Sequence, residues 1–217
     1  MPAGLQPCQQ ARLCRRQIHT SHANLGESEF PGPGPNAQDQ WITVTENFGR
    51  DHANIVETLS LDDESATARL AAALAGEPAL CSAVIELRGE LGAGKTTLVR
   101  YLLQALGITG RIKSPTYAVV EPYELPDLNI WHFDFYRFSD PSEFADAGFR
   151  DIFASPGLKL VEWPQQAGGY LPRADLVLEL SVQLDERRQV MLTPQSAIGL
   201  ALCSRVLAAS PNLDSAT

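Results

Sequence analysis

Gly89-Glu90-Leu91-Gly92-Ala93-Gly94-Lys95-Thr96 fits the spacing G-x-x-x-x-G-K-[ST], a pattern whose chemistry is the holding of phosphate. Glycine lets the backbone take positive φ and approach a ligand closely. Successive amide N–H groups then turn inward and form a nest for an anion, and a helix starting after the loop adds the positive end of its dipole. In that arrangement Lys95 reaches the outer phosphates and the Thr96 hydroxyl meets Mg²⁺, with Thr97 next along the helix. Two carboxylates are candidates to complete the chemistry. Asp134 follows the apolar run 129–133, and Glu162 follows 158–161. An acid at a strand tip beside such a loop can hold the metal or place a water. Ser114 and Thr116 supply hydroxyls where a segment sensing γ-phosphate would lie, although Ser-Pro is also ordinary turn chemistry.

Other residues leave alternatives open. Arg137 suits either an answer to phosphate charge or a pairing with Asp134 or another acid. His132 reads as a strand residue rather than a ligand, and Trp163 as core or partner packing.

These groups need a scaffold, and the flanking pattern supplies one. Residues 82–88 are apolar and β-branched, as in a buried strand, and 96–106 have a helical pattern that stops at Gly107. Upstream, 63–75 read as a helix with small-residue packing, ended by Glu77-Pro78. Residues 117–120 read as a strand. In 129–135, Ile130, His132 and Asp134 alternate against Trp131, Phe133 and Phe135, again a strand. Asp140-Pro141-Ser142-Glu143 has the form of a helix start. Segments 176–182 and 189–193, joined by the polar turn 185–188, read as a closing hairpin. Strands alternating with helices around a phosphate loop give an α/β class of P-loop NTPase type. It has a mostly parallel central sheet flanked by helices, made mixed by the C-terminal antiparallel hairpin. The ligand is expected beyond the carboxyl ends of the strands.

Composition sets bounds. The chain has 217 residues, 44% of them hydrophobic, enough for one α/β domain with tails. The domain is expected over 41–195. Residues 1–40, rich in Gln, Pro and Gly, read as a disordered extension, and 196–217 as a C-terminal tail that is partly helical from Ala197 and then frays. No apolar run approaches the length of a membrane span. Cys8, Cys14, Cys81 and Cys203 form no C-x-x-C pair, which fits a reducing compartment. The net charge is -9, and the first 26 residues hold three arginines and no acid. The acidic remainder disfavours a protein that grips nucleic acid through its whole surface. The basic, acid-free stretch 11–20 suits a mitochondrial-type transit peptide, or else an upstream extension of a bacterial reading frame or a plain tail. No Asn-Lys-x-Asp occurs for reading guanine, and no Arg-rich lid suggests a small-molecule kinase.

Four blocks in order carry a resemblance: Gly-Glu-Leu-Gly-Ala-Gly-Lys-Thr-Thr from Gly89, Lys-Ser-Pro-Thr-Tyr from Lys113, His-Phe-Asp-Phe-Tyr-Arg from His132, and Val-Glu-Trp-Pro from Val161. A weaker block starts at Glu64. Over residues 61–193 the chain resembles the bacterial tRNA threonylcarbamoyladenosine biosynthesis ATPase family. That resemblance implies a cytoplasmic, ATP-dependent subunit with a Mg²⁺ site, and its turnover alone is expected to be slow because partners often complete such sites. Its implied partners are a threonylcarbamoyl transferase and the transferase's paralogous companion, with tRNA met only through the complex. Thr96 and Glu162 then correspond to the metal site and Asp134 to the family's essential aspartate. Glu64 falls where nucleotide is contacted, and Arg187 lies near a late family arginine. A nucleotide-gated binding module with negligible turnover, or a small-molecule kinase, is the alternative.

Overall fold

The computed structural model describes residues 56–115, 117–138, 140 and 143–209. The expectations for 1–40, for an ordered start near Trp41 and for Thr116 lie outside the described residues. The strands are β1 (Glu57–Leu61), β2 (Val84–Arg88), β3 (Val120–Leu125), β4 (Leu128–Asp134), β5 (Leu158–Glu162), β6 (Leu176–Val182) and β7 (Arg188–Pro194). The helices are α1 (Glu64–Ala75), α2 (Lys95–Ala105), α3 (Glu143–Asp146), α4 (Phe149–Ala154) and α5 (Ala197–Ala209). The strands form one sheet in the order β1-β7-β6-β2-β5-β4-β3. Its centre, β6-β2-β5-β4, is parallel, while β3, β7 and β1 join antiparallel. This is the mixed α/β sheet expected of a phosphate-loop protein.

Parallel strands covered on both faces read as continuous apolar runs, and β5 is buried at all five positions. On one face Leu70, Leu74, Leu98, Val99, Leu102 and Leu202 from α1, α2 and α5 pack against Ile85, Leu87, Leu160 and Leu178. The other face carries an aromatic cluster built on Phe133, Phe135, Phe144 and Phe149, with Val161 and Ala167. Phe133 meets Phe149 edge-on at 5.4 Å and stacks on Phe153 at 4.9 Å, spacings at which aromatic pairs add to simple burial. α1 is started by the Asp63 carboxylate, which accepts from Ala66 N at 2.7 Å. Asp140 N donates to Glu143 Oε1 at 3.0 Å, as a helix-start motif requires.

Three features depart from the sequence reading. The strand expected at 117–120 begins only at Val120. Val119 has φ +65°, and its N–H donates to Pro115 O at 2.6 Å, so a turn occupies the β-branched stretch. β1 had no counterpart in the sequence reading, and it lies outside the hairpin, pairing with β7. The helical start expected of the tail is α5, but its Leu202, Cys203 and Val206 are buried in the core instead of lying outside the domain.

The aromatic cluster gives a stability test. Phe133→Ala is expected to lower unfolding free energy by about 3–5 kcal/mol. Leu184→Ser, at a fully exposed turn position, should stay within about 0.5 kcal/mol of the parent. Urea unfolding at constant m reads both.

Candidate functional site

β2 delivers the chain to Gly89 and α2 takes it away from Gly94. Gly89 and Gly94 have φ of +131° and +106°, values that residues with a Cβ rarely adopt. A Cβ on Gly89 would also collide with the Leu180 carbonyl of β6, so the loop starts pressed against the neighbouring strand. Gly94 is the N-cap of α2 and offers no side-chain acceptor. The N–H groups of the first turn therefore face forward without a cap, the condition for holding an anion.

Lys95 is 4% exposed. Its ammonium donates to Gly89 O at 2.7 Å and Glu90 O at 2.8 Å, and lies 4.1 Å above the Trp163 ring. Burial pushes its pKa down, while the charges of Glu162, Asp134 and Glu90 push the other way. Trp163 is held at φ +57°, an unusual setting for a bulky residue. Its indole also meets Tyr136 at 5.0 Å.

The two acids come together at adjacent strand tips. Asp134 ends β4, Glu162 ends β5, and the two are direct register partners. They are 4% and 2% exposed. The Thr96 hydroxyl lies 2.9 Å from each oxygen of Glu162 and donates to that carboxylate. His132 Nε2 is 2.8 Å from Glu162 Oε1. Asp134 accepts from Ser114 Oγ at 2.5 Å and from Tyr136 N at 3.0 Å. Both carboxylates are thus fixed in orientation by donors, as burial of charge requires.

The donor set of one hydroxyl and two carboxylates is hard oxygen. It suits Mg²⁺, which takes one or two protein carboxylates and draws its remaining ligands from phosphate and water. No group of three or more His, Cys, Asp or Glu able to hold a metal ion occurs among the described residues.

The structure therefore brings the 89–96 loop, Asp134, Glu162 and Ser114 to one end of the sheet. Thr97 is half-buried in the first turn of α2, while the Leu91 side chain is 73% exposed. Glu64 is different: its carboxylate accepts from Tyr101 Oη at 2.9 Å, on the second turn of α2. The Arg137 guanidinium stacks over the Tyr117 ring at 4.2 Å. Arg187 pairs with Asp185 and Asp62. Its neighbour Arg188 lies against the loop, and a Cβ on Gly94 would come within 3.3 Å of the Arg188 side chain. Arg188 had no place in the sequence reading, whereas His132, read as a strand residue, and Trp163, read as packing, lie against Glu162 and Lys95. His132 carried a signal, being two residues before Asp134 on the same strand face, and Trp163 carried one as the residue after Glu162.

The family model described as "Threonylcarbamoyl adenosine biosynthesis protein TsaE" matches residues 61–190. The Haemophilus influenzae protein named tRNA threonylcarbamoyladenosine biosynthesis protein TsaE is 41% identical over 121 residues, which are 56% of this chain and 76% of that protein. The Bacillus subtilis protein of the same name is 35% identical over 136 residues, covering 63% and 82%. The crystal structure of Bacillus subtilis YdiB superposes with a TM-score of 0.58 at 24% identity, covering 70% of this chain and 95% of that one. That structural likeness speaks to the fold alone.

Loop geometry can be tested apart from any ligand. Gly92 has φ +84° with open space around it, so Gly92→Ala should cost about 1–2 kcal/mol from its left-handed backbone. Gly89→Ala meets the same kind of backbone penalty plus the Leu180 carbonyl and should cost clearly more. Thermal unfolding of the two variants gives the order.

Proposed function

The chain belongs to the TsaE family of threonylcarbamoyl adenosine biosynthesis proteins, and from that premise we propose that it binds ATP with Mg²⁺ and hydrolyses it slowly. On this reading it is the ATPase subunit serving formation of N6-threonylcarbamoyladenosine in tRNAs that read codons beginning with A. It acts on the threonylcarbamoyl transferase and its paralogous companion rather than performing the transfer. The single observation that carries the reading is the contact between the Thr96 hydroxyl and the Glu162 carboxylate, with Asp134 in register beside it.

Each residue has a defined task. The loop amides of 89–94 and the first turn of α2 bind the phosphates. Lys95 releases the Gly89 and Glu90 carbonyls and turns its ammonium toward the outer phosphates. Thr96 and Glu162 would hold Mg²⁺, which when bound would neutralise charge on the phosphate oxygens. Asp134, clamped by Ser114 and Tyr136 N, orients water or supports the metal. Because Ser114 is tied to Asp134, a change at the outer phosphate is passed to the 113–117 segment, where a partner reads it. Arg188 flanks Gly94 and supplies positive charge at the mouth.

The acidic net charge of -9 fits contact with tRNA through the complex rather than directly. Among the described residues no helix is long and apolar enough to cross a membrane. A cytoplasmic place follows from the family reading, and an organellar one would require the basic N-terminus to act in targeting. One observation favours the nucleotide-gated module as second reading: the Arg137 guanidinium is stacked on the Tyr117 ring. Turnover by the isolated subunit is then slow until a partner completes the site.

Lys95→Ala is expected to abolish ATP binding by calorimetry. Asp134→Ala and Glu162→Ala should keep binding within about tenfold while turnover falls about 10²-fold or more. Full ATPase activity in the Glu162→Ala protein would reject the role given to that carboxylate. Capture of the transferase and its companion on immobilised protein with ATP but not ADP separates a gated cycle from a constitutive contact.

A further inference from the structure

We infer that His132 is a positioning residue for Glu162: its imidazole holds one carboxylate oxygen so that the other stays free for a cation. The inference rests on the reading above, in which Glu162 meets Mg²⁺.

The strand register creates the contact. Ile130, His132 and Asp134 share one face of β4, the face on which Ile130 enters the core formed with α1 and α2. Across on β5, Leu160 is the partner of His132, and Glu162 is the partner of Asp134. The imidazole therefore reaches Glu162 along the diagonal between strands, a separation that long side chains span. The ring is 0% exposed, and Nε2 lies 2.8 Å from Glu162 Oε1. Nδ1 is buried and has no hydrogen-bond partner among the described residues.

That asymmetry assigns the tautomer. An ionised carboxylate only accepts, so Nε2 carries the hydrogen and donates it. Nδ1 faces no acceptor, so the contact from Nε2 is the ring's single hydrogen bond among the described residues. The carboxylate oxygens are then unequal. Oε1 faces both His132 and the Thr96 hydroxyl, whereas Oε2 faces Thr96 alone and keeps spare lone pairs. A polar ring in the interior is costly unless it bonds, and an apolar side chain would fill the same place on this strand face. The single bond it makes goes to a carboxylate at the mouth of the phosphate loop. Partners of this kind behind a metal-binding group commonly change metal affinity 10- to 100-fold when removed.

The test titrates Mg²⁺ into the full chain at fixed ADP and follows binding by calorimetry, with a parallel arm in EDTA and a melting curve for each variant. For His132→Leu the half-saturating Mg²⁺ should rise about tenfold, while the ADP affinity in EDTA stays within about twofold. His132→Gln can place its amide N–H where Nε2 sits and should restore most of the loss. His132→Asn reaches only the Nδ1 position and should not. Unchanged Mg²⁺ dependence in His132→Leu overturns the inference, as does an equal loss with and without Mg²⁺. Should His132→Leu fail to fold, an Asn variant equal to or better than the Gln variant overturns it in the same way. ADP binding by the parent protein that ignores Mg²⁺ would instead remove the functional reading itself.

Discussion

A threonine hydroxyl in the first turn of α2 donates to a glutamate at the tip of β5, 66 positions later in sequence. This bond ties the end of the phosphate loop to the strand beside the one that feeds it. It exists only because β2 and β5 are parallel neighbours, with Leu87 in register with Glu162. Moving either strand by one residue would turn the carboxylate to the opposite face. The apolar packing of Leu160 and Val161 on both sides of the sheet prevents that slip. Core packing and site geometry are one constraint.

Charge must then be managed where water is scarce. Glu162, Asp134 and Lys95 are all nearly buried at one end of the sheet, and an isolated ion there would be costly. Donors meet each acid: Thr96 and His132 for Glu162, Ser114 and Tyr136 N for Asp134. The ammonium is met by two loop carbonyls and an indole face. Its pKa still falls, because burial outweighs the pull of the neighbouring acids. Each charged group is thereby fixed by its own hydrogen-bond or ring partners. Trp163 in a left-handed backbone is part of the same device, since strain of that kind persists only where the surroundings enforce it.

Much of this was legible in the sequence where the signal was local. The glycine spacing, the helix from 96 and the strand 129–135 each depend on neighbours within a few residues. The order Ile130, His132, Asp134 even named the correct face. Signals that depend on pairing were harder. β1 is a five-residue edge strand whose alternation is settled by β7, more than 120 residues away. β3 contains Pro122, which reads against a strand, yet β3 is an edge and the missing N–H can face outward. Val119 favours a strand by type but is taken into a turn by its bond to Pro115. The His132–Glu162 contact needed the register of β4 on β5, which no local pattern fixes. Arg188, rather than Arg187, lies at the loop because residues alternate along β7 and the turn before it takes Arg187 to Asp62 and Asp185.

The most direct measurement is a crystal structure of the full chain with Mg²⁺ and a non-hydrolysable ATP analogue. The account expects the phosphates on the amides of 89–96 and the cation bonded to Thr96 Oγ1. One Glu162 oxygen should face that cation, the other should remain on His132, and Asp134 should stay within reach. A nucleotide bound elsewhere, or a cation that ignores both Thr96 and Glu162, would contradict it.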